Sequence, residues 1–257
     1  MEKLGLSAIL CLMMLTIPLL VESKEEEQAD HDLVSIENEN TYKQVSEEET
    51  MIEPSKLVKE LLEDVNVKID NPLLIKSLNE STIKPSPFAF GYRANVFLGH
   101  WPLSYQSELS EVNWDFQTVN TNELNNVKGE KNQEIYYYQI EEKHVEGALT
   151  AKIDQTDQIK QMILQKARSQ HEYPLTFHAV VGKETKLSKT YTVPTSKTGI
   201  LKANIPVVKD TGQVTLGEVY LELKGSKKNL VIKNVTKQEV GAFIPIANHL
   251  TFTFETK

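Results

Sequence analysis

The chain has 257 residues, 40% of them hydrophobic and 25% charged, with a formal net charge of −8 and one cysteine. That length supports a buried core without covalent staples, and a single thiol excludes an internal disulfide. The charge balance shows no basic stripe, which argues against nucleic acid as a partner.

The chain opens Met1-Glu2-Lys3 and then runs apolar from Leu4 to Val21, interrupted by Gly5, Ser7, Thr16 and Pro18. A basic start, an apolar core and the Val21-Glu22-Ser23 end make a three-part export signal, with cleavage expected after Ser23. The run is also at the short limit for a membrane span, so an uncleaved anchor is the alternative, and the only membrane contact expected. Cys11 lies inside the apolar core, preceded by Leu10, which is the wrong setting for lipidation. Cleavage would leave a chain with no thiol nucleophile and no cysteine-ligated metal.

Lys24 to Glu53 hold 11 acidic and 2 basic residues, a net of −9, with few aliphatics. Such a segment buries too little apolar surface to offset its ordering entropy, so residues 24–53 are expected to be a disordered acidic spacer. Residues 54–257 hold 23 acids and 25 bases and suit a single globular domain.

Two short helices should lead that domain. Pro54-Ser55 is a start signal for Val58, Leu61, Leu62 and Val65 at helical spacing, and Asn71-Pro72 caps a second helix through Leu78. Strands with period two follow: Phe88, Phe90, Tyr92; Val112, Trp114, Phe116; and the Tyr-rich run Ile135–Ile140. A longer helix is expected over about 156–169, with Ile159, Met162, Ile163 and Ala167 on its apolar face. Then come Leu175–Val181, Val219–Leu223, Leu230–Ile232, Phe243–Ile246 and Leu250–Phe254. Gly182-Lys183, Asp210-Thr211-Gly212 and Gly225–Asn229 read as the turns between them. The expectation is a β-rich α+β fold, mostly antiparallel, a large sheet or sandwich.

Catalytic signatures are sparse. Asp210-Thr211-Gly212 has the letters of an aspartic protease turn, but no second copy exists and Lys209 precedes it. There is no Gly-x-Ser-x-Gly elbow and no phosphate loop around Gly182-Lys183. The histidines, 31, 100, 144, 171, 178 and 249, show no metal-ligand spacing. No metal and no cofactor is expected, although distant residues can always assemble a site.

The stretch from Phe88 to Tyr105 is the most unusual, with 6 of the chain's 19 aromatics in 18 residues. One reading is a stacking platform for sugar or peptide, with Trp101 and Tyr105 as faces and Arg93 and His100 beside them. The other is two core strands joined by a tight turn at Gly99-His100-Trp101-Pro102, its rings buried for their area. Trp114, alternating in a strand, is expected in the core. Trp101 is expected in a loop and partly exposed.

The same stretch carries a resemblance. Phe88–Asn95, Leu98–Tyr105, Val112–Asp115, Gly217–Gly225 and Ile232–Thr236 together resemble the YfkD-like family of Bacillus and relatives. The likeness runs from the apolar start to the final strand. It implies an exported protein of a Gram-positive endospore former, and it brings no catalytic residues with it.

The expected function is therefore a non-enzymatic binding or structural protein of the cell envelope, with a cell-wall polymer or another envelope protein as partner. The rival is an extracytoplasmic hydrolase acting on wall or peptide substrate through a site invisible in the sequence.

Overall fold

β8 (Thr198–Lys224) is the spine of the molecule. One of its edges pairs with β2 (Arg93–Asn125) over its whole length. Its other edge pairs first with β10 (His249–Thr256) and then with β9 (Lys227–Pro245). The structure is a computed structural model and describes residues 33–43, 52–81, 93–225 and 227–257. The fold is β-rich α+β, and its antiparallel main sheet curls into a half-barrel.

Short elements finish the sheet. β1 (Val34–Ser35) extends β10, and β5 (Ala148–Leu149) extends β9. Two separate two-stranded antiparallel sheets complete the strands: β3 (Gln133–Tyr138) with β7 (Lys186–Val193), and β4 (Lys143–Glu146) with β6 (His178–Val181).

The helices form where expected. In α1 (Lys56–Glu63) the Ser55 hydroxyl accepts the Val58 N–H, and Val58 and Leu61 are buried. In α2 (Pro72–Glu80) Asn71 Oδ1 accepts the N–H groups of Leu73 and Leu74. Asn71 Nδ2 donates to Pro102 O at 2.7 Å and to Gln158 Oε1 at 3.0 Å, so this cap also ties the helix to β2. α3 (Thr156–Gln170) buries Ile159, Met162, Ile163, Leu164 and Ala167.

Three apolar clusters follow the length of β8. α1 and α2 cover its C-terminal end with Leu103, Val219, Leu221 and Leu230. α3 covers the middle, against Val208, Val214, Val240 and Ile244. Tyr137, Val145, Val181, Leu201 and Leu250 fill the remaining end. From Ala203 to Val208 β8 is buried without interruption, as a strand covered on both faces must be.

Four expectations change. First, residues 33–43, assigned above to a disordered spacer, are part of the fold. Val34 and Ser35 pair with Leu250 and His249, and Ile36 is 0% exposed. Asn40 is buried, donating to Val180 O and Asn248 Oδ1 and accepting the Gly182 N–H. Averaging composition over the whole acidic segment hides a short core-forming patch. The rest of that segment, the export signal, and Phe88, Phe90 and Tyr92 lie outside the described residues.

Second, Asp210-Thr211-Gly212 is not a turn but the interior of β8, opposite Ser110, Leu109 and Ser107. A Cβ on Gly212 would sit 2.1 Å from Gln106 O, so the glycine serves close strand approach. Third, Gly99–Pro102 is not a loop. It continues β2 through a bulge in its pairing with β8. Fourth, the turn at 182–183 does join β6 to β7, but Lys227–Asn229, expected in the next turn, already lie in β9 opposite Lys224, Leu223 and Glu222.

Candidate functional site

The bulge in β2 builds the site. Register passes from Phe97↔Tyr220 directly to Gly99↔Val219, leaving Leu98 as the extra residue. Gly99 takes φ +120°, a conformation open to glycine. In a regular strand Phe97 and His100, three apart, would face opposite sides. Here both face outward, their rings edge to face at 5.7 Å, while Leu98 and Trp101 turn inward toward α1 and α2.

Pairing of β2, β8 and β9 then sets out four rows on that outward face. They are Arg93, Lys224 and Lys227; Asn95, Glu222 and Asn229; Phe97, Tyr220 and Val231; His100, Glu218 and Lys233. Residues opposite one another in a ladder share a face, so the register alone makes a patch with an apolar middle and charged flanks. The Phe97 ring is 51% exposed and lies 5.0 Å from the Tyr220 ring, centroid to centroid. Lys233 Nζ sits 4.7 Å over the other aromatic, Tyr220.

The two carboxylates are fixed in place. Glu218 accepts from the Tyr220 hydroxyl at 2.8 Å and lies 3.7 Å from His100 Nε2. Hydrogen bonds from the Asn234 side chain and then from Tyr220 hold it below the usual carboxylate range, with His100 and Lys233 adding to the effect. Glu222 pairs with Lys224 Nζ at 2.8 Å, and that hydrogen bond lowers it too, helped by Asn229 and Arg93. Both present anionic oxygens on either side of a ring pair.

Of the four residues singled out from the sequence, the fold brings Arg93 and His100 onto this face and takes Trp101 and Tyr105 away from it. Trp101 is half-buried among Val96, Leu98 and Leu223, its Nε1 donating to Leu98 O at 3.0 Å. Tyr105 is 4% exposed and so presents no stacking face to a surface ligand. Trp114 is half-buried rather than core, edge-on to Tyr173 at 6.2 Å. Phe97, Tyr220, Glu218 and Glu222 escaped the sequence reading. Phe97 was in the aromatic stretch, but its partner is 123 positions away and only strand register joins them.

Comparison with known proteins decides the family. The YfkD-like protein family matches residues 30–257. The chain is 45% identical over 235 residues to the "Uncharacterized protein YfkD" of Bacillus subtilis (strain 168), covering 91% of this chain and 89% of that one. The chain belongs to the YfkD-like family. No solved structure matches it.

Two further polar groupings occur in this YfkD-like chain. Asp210, 0% exposed, accepts from Tyr105 Oη at 2.5 Å and Ser107 Oγ at 2.9 Å. Burial first, then the bond to Asp210, pushes the Tyr105 hydroxyl far above its ordinary range. Tyr105 also lines a cavity of about 580 Å³ beneath α3, with Asp70, Met162 and Gln165. Nearby, Ser110 Oγ lies 2.9 Å from His171 Nε2, a nucleophile-and-base spacing. No carboxylate orients the other His171 nitrogen among the described residues; that ring stacks on Tyr173 instead. Among the described residues no group of three or more His, Cys, Asp or Glu side chains could hold a metal ion.

Proposed function

We propose that this chain acts outside the cytoplasm as a non-catalytic binding protein of the cell envelope, and that the outward face of β2, β8 and β9 grips a glycan strand of the wall. One observation carries the reading: the exposed Phe97–Tyr220 ring pair, flanked in register by the fixed carboxylates of Glu218 and Glu222. Ring faces offer apolar contact to the C–H faces of sugar rings. Ionised carboxylates on either side accept hydrogen bonds from hydroxyl and amide donors, which fixes orientation. An open sheet face suits a polymer that passes across it. The apolar segment from Leu4 to Val21 supports the compartment, as an export signal.

Sedimentation of the purified chain lacking residues 1–23 with purified wall tests this. The wild-type chain should co-sediment, and Phe97→Ala with Tyr220→Ala should lower the bound fraction tenfold or more. If the double variant sediments like wild type, this face is not the site. If nothing sediments but an envelope protein co-purifies, the partner is protein and the glycan reading is wrong.

The hydrolase reading has Ser110 and His171 behind it. It requires Ser110 to react covalently with a fluorophosphonate probe, and His171→Ala to abolish that reaction.

A further inference from the structure

A cavity of about 580 Å³ opens between α3, β2 and the link of residues 64–71 from α1 to α2. Met162, Gln165, Lys166 and Ser169 line it from one stripe of α3, at positions i, i+3, i+4 and i+7. Tyr105 lines it from β2 and Asp70 from the link. Backbone bonds hold the link in place: the N–H groups of Asp70 and Asn71 both donate to Leu103 O, at 2.9 and 3.2 Å. The Asn71 side chain bonds Pro102 O on β2 and Gln158 Oε1 on α3, so the three walls are tied together around the space. A preformed cavity of this size is the usual form of a small-molecule site, within the range of roughly 300–1,000 Å³.

The wall is mostly apolar. Met162 and Tyr105, 3% and 4% exposed, make its floor. The Tyr105 hydroxyl hydrogen is committed to Asp210, so this residue has none to donate to a ligand. The charge stands at the mouth. Asp70 is offset by Lys68 Nζ at 2.7 Å. Arg168 turns its guanidinium to Leu175 O, with Nε at 3.2 Å and Nη2 at 2.6 Å. Lys166 is exposed, and its ammonium has no hydrogen bond or ion pair among the described residues. Its four-carbon stem can lie along the apolar wall while Nζ stays on the water side. The cavity therefore joins an apolar interior to a cation at its opening, in a chain whose net charge is −8.

We propose that this cavity binds a small amphipathic carboxylate, its apolar body over Met162 and Tyr105 and its anionic head at Lys166. The apolar body leaves water on entering, while the head stays where both water and Lys166 reach it, so no charge is buried without a partner. A cationic amphiphile would bring like charge to Lys166, and a neutral one would forgo the ion pair. The cavity shares no residue with the outward face of β2, β8 and β9, so this proposal and the glycan reading stand independently.

The test is calorimetric titration of the purified chain lacking residues 1–23 with decanoate and with 2-naphthoate, below any micelle-forming concentration. One saturable site per chain is expected, and the tighter of the two probes tells a chain-like body from a ring-like one. Decanol and decyltrimethylammonium should bind more weakly than decanoate by about tenfold or more. Lys166→Glu changes an exposed side chain, so it should melt within a few degrees of wild type while weakening carboxylate binding by about tenfold or more. Gln165→Trp should fill the cavity and abolish binding, so that decanoate raises the melting temperature of the wild type but not of this variant. Absence of a saturable site would overturn the proposal, as would decanol or the cation binding as tightly as decanoate, or binding that survives both substitutions. Loss of carboxylate binding on Phe97→Ala with Tyr220→Ala would also overturn it, because the ligand would then sit on the other face.

Discussion

The Tyr105 hydroxyl donates a 2.5 Å hydrogen bond to the Asp210 carboxylate, joining β2 to β8 between residues 105 positions apart. Asp210 is wholly buried, and its other oxygen takes the Ser107 hydroxyl. A buried carboxylate with hydroxyl donors is stable only while those donors stay. Tyr105→Phe should cost about 1–3 kcal/mol, the penalty of stripping one partner from a buried acceptor. Asp210→Ala should cost more, because it strands two hydroxyls. Denaturant titration with an unchanged slope checks both.

The same tyrosine predicts an alkaline limit. Tyr105, Tyr137 and Tyr191 are all raised above the ordinary tyrosine value of 10.0, each chiefly by burial. Their contribution to stability is complete below that value. Above it the unfolded chain ionises first while the native chain holds its protons, so stability falls as pH rises. Unfolding free energy should therefore decline above about pH 10, and Tyr105→Phe should make that decline shallower. Stability that is flat or rising between pH 10 and 12 would show that these hydroxyls ionise freely in the native state.

The segment ahead of α1 gives a sharper prediction. Removing residues 24–30 should leave the melting temperature unchanged. Removing residues through 43 takes away Ile36 and Asn40, both buried. Ile36→Ala alone should cost about 2–5 kcal/mol, the range for emptying a core aliphatic site. If it costs nothing, the strand pairing of Val34 and Ser35 with β10 is not maintained in solution.

Phe97 and Trp101 separate binding from folding. Phe97 is exposed and its loss should change stability by less than about 1 kcal/mol while weakening wall binding. Trp101 packs under the sheet with Leu98 and Leu223. Trp101→Ala should cost about 2 kcal/mol or more and leave the outward rows intact. Thermal melts beside wall sedimentation for both variants read the difference. Equal loss of stability would mean that Phe97 supports the fold and the face is not a free surface.

Export is tested by N-terminal sequencing. The processed chain should begin at or near Lys24 and partition to the wall or medium. Recovery of an intact Met1 terminus in the membrane fraction would show an anchor instead.

Elements set by local chemistry were legible in the sequence. The three helices follow from a serine cap, an asparagine cap with proline behind it, and apolar residues at helical spacing, all within a dozen or so neighbouring positions. The β-rich class follows from alternation that needs only a few residues to show itself. The turn at Gly182-Lys183 is likewise local. What required the tertiary structure was every feature that depends on register between distant strands. Asp210-Thr211-Gly212 has the composition of a turn, and only its position between β2 and β9 makes it the interior of the longest sheet strand but one. Gly99 reads as loop punctuation, yet it lies in a bulge whose one added residue, Leu98, sends Phe97 and His100 outward and Trp101 inward. The segments that carry the family resemblance, near 93–105, 217–225 and 232–236, lie far apart in the chain. Antiparallel pairing sets them side by side as the three strands of one face. A side-chain period of two fixes which residues of a strand share a face, but not which strand lies beside it; that choice is made by long-range pairing, and the candidate site exists only because of it.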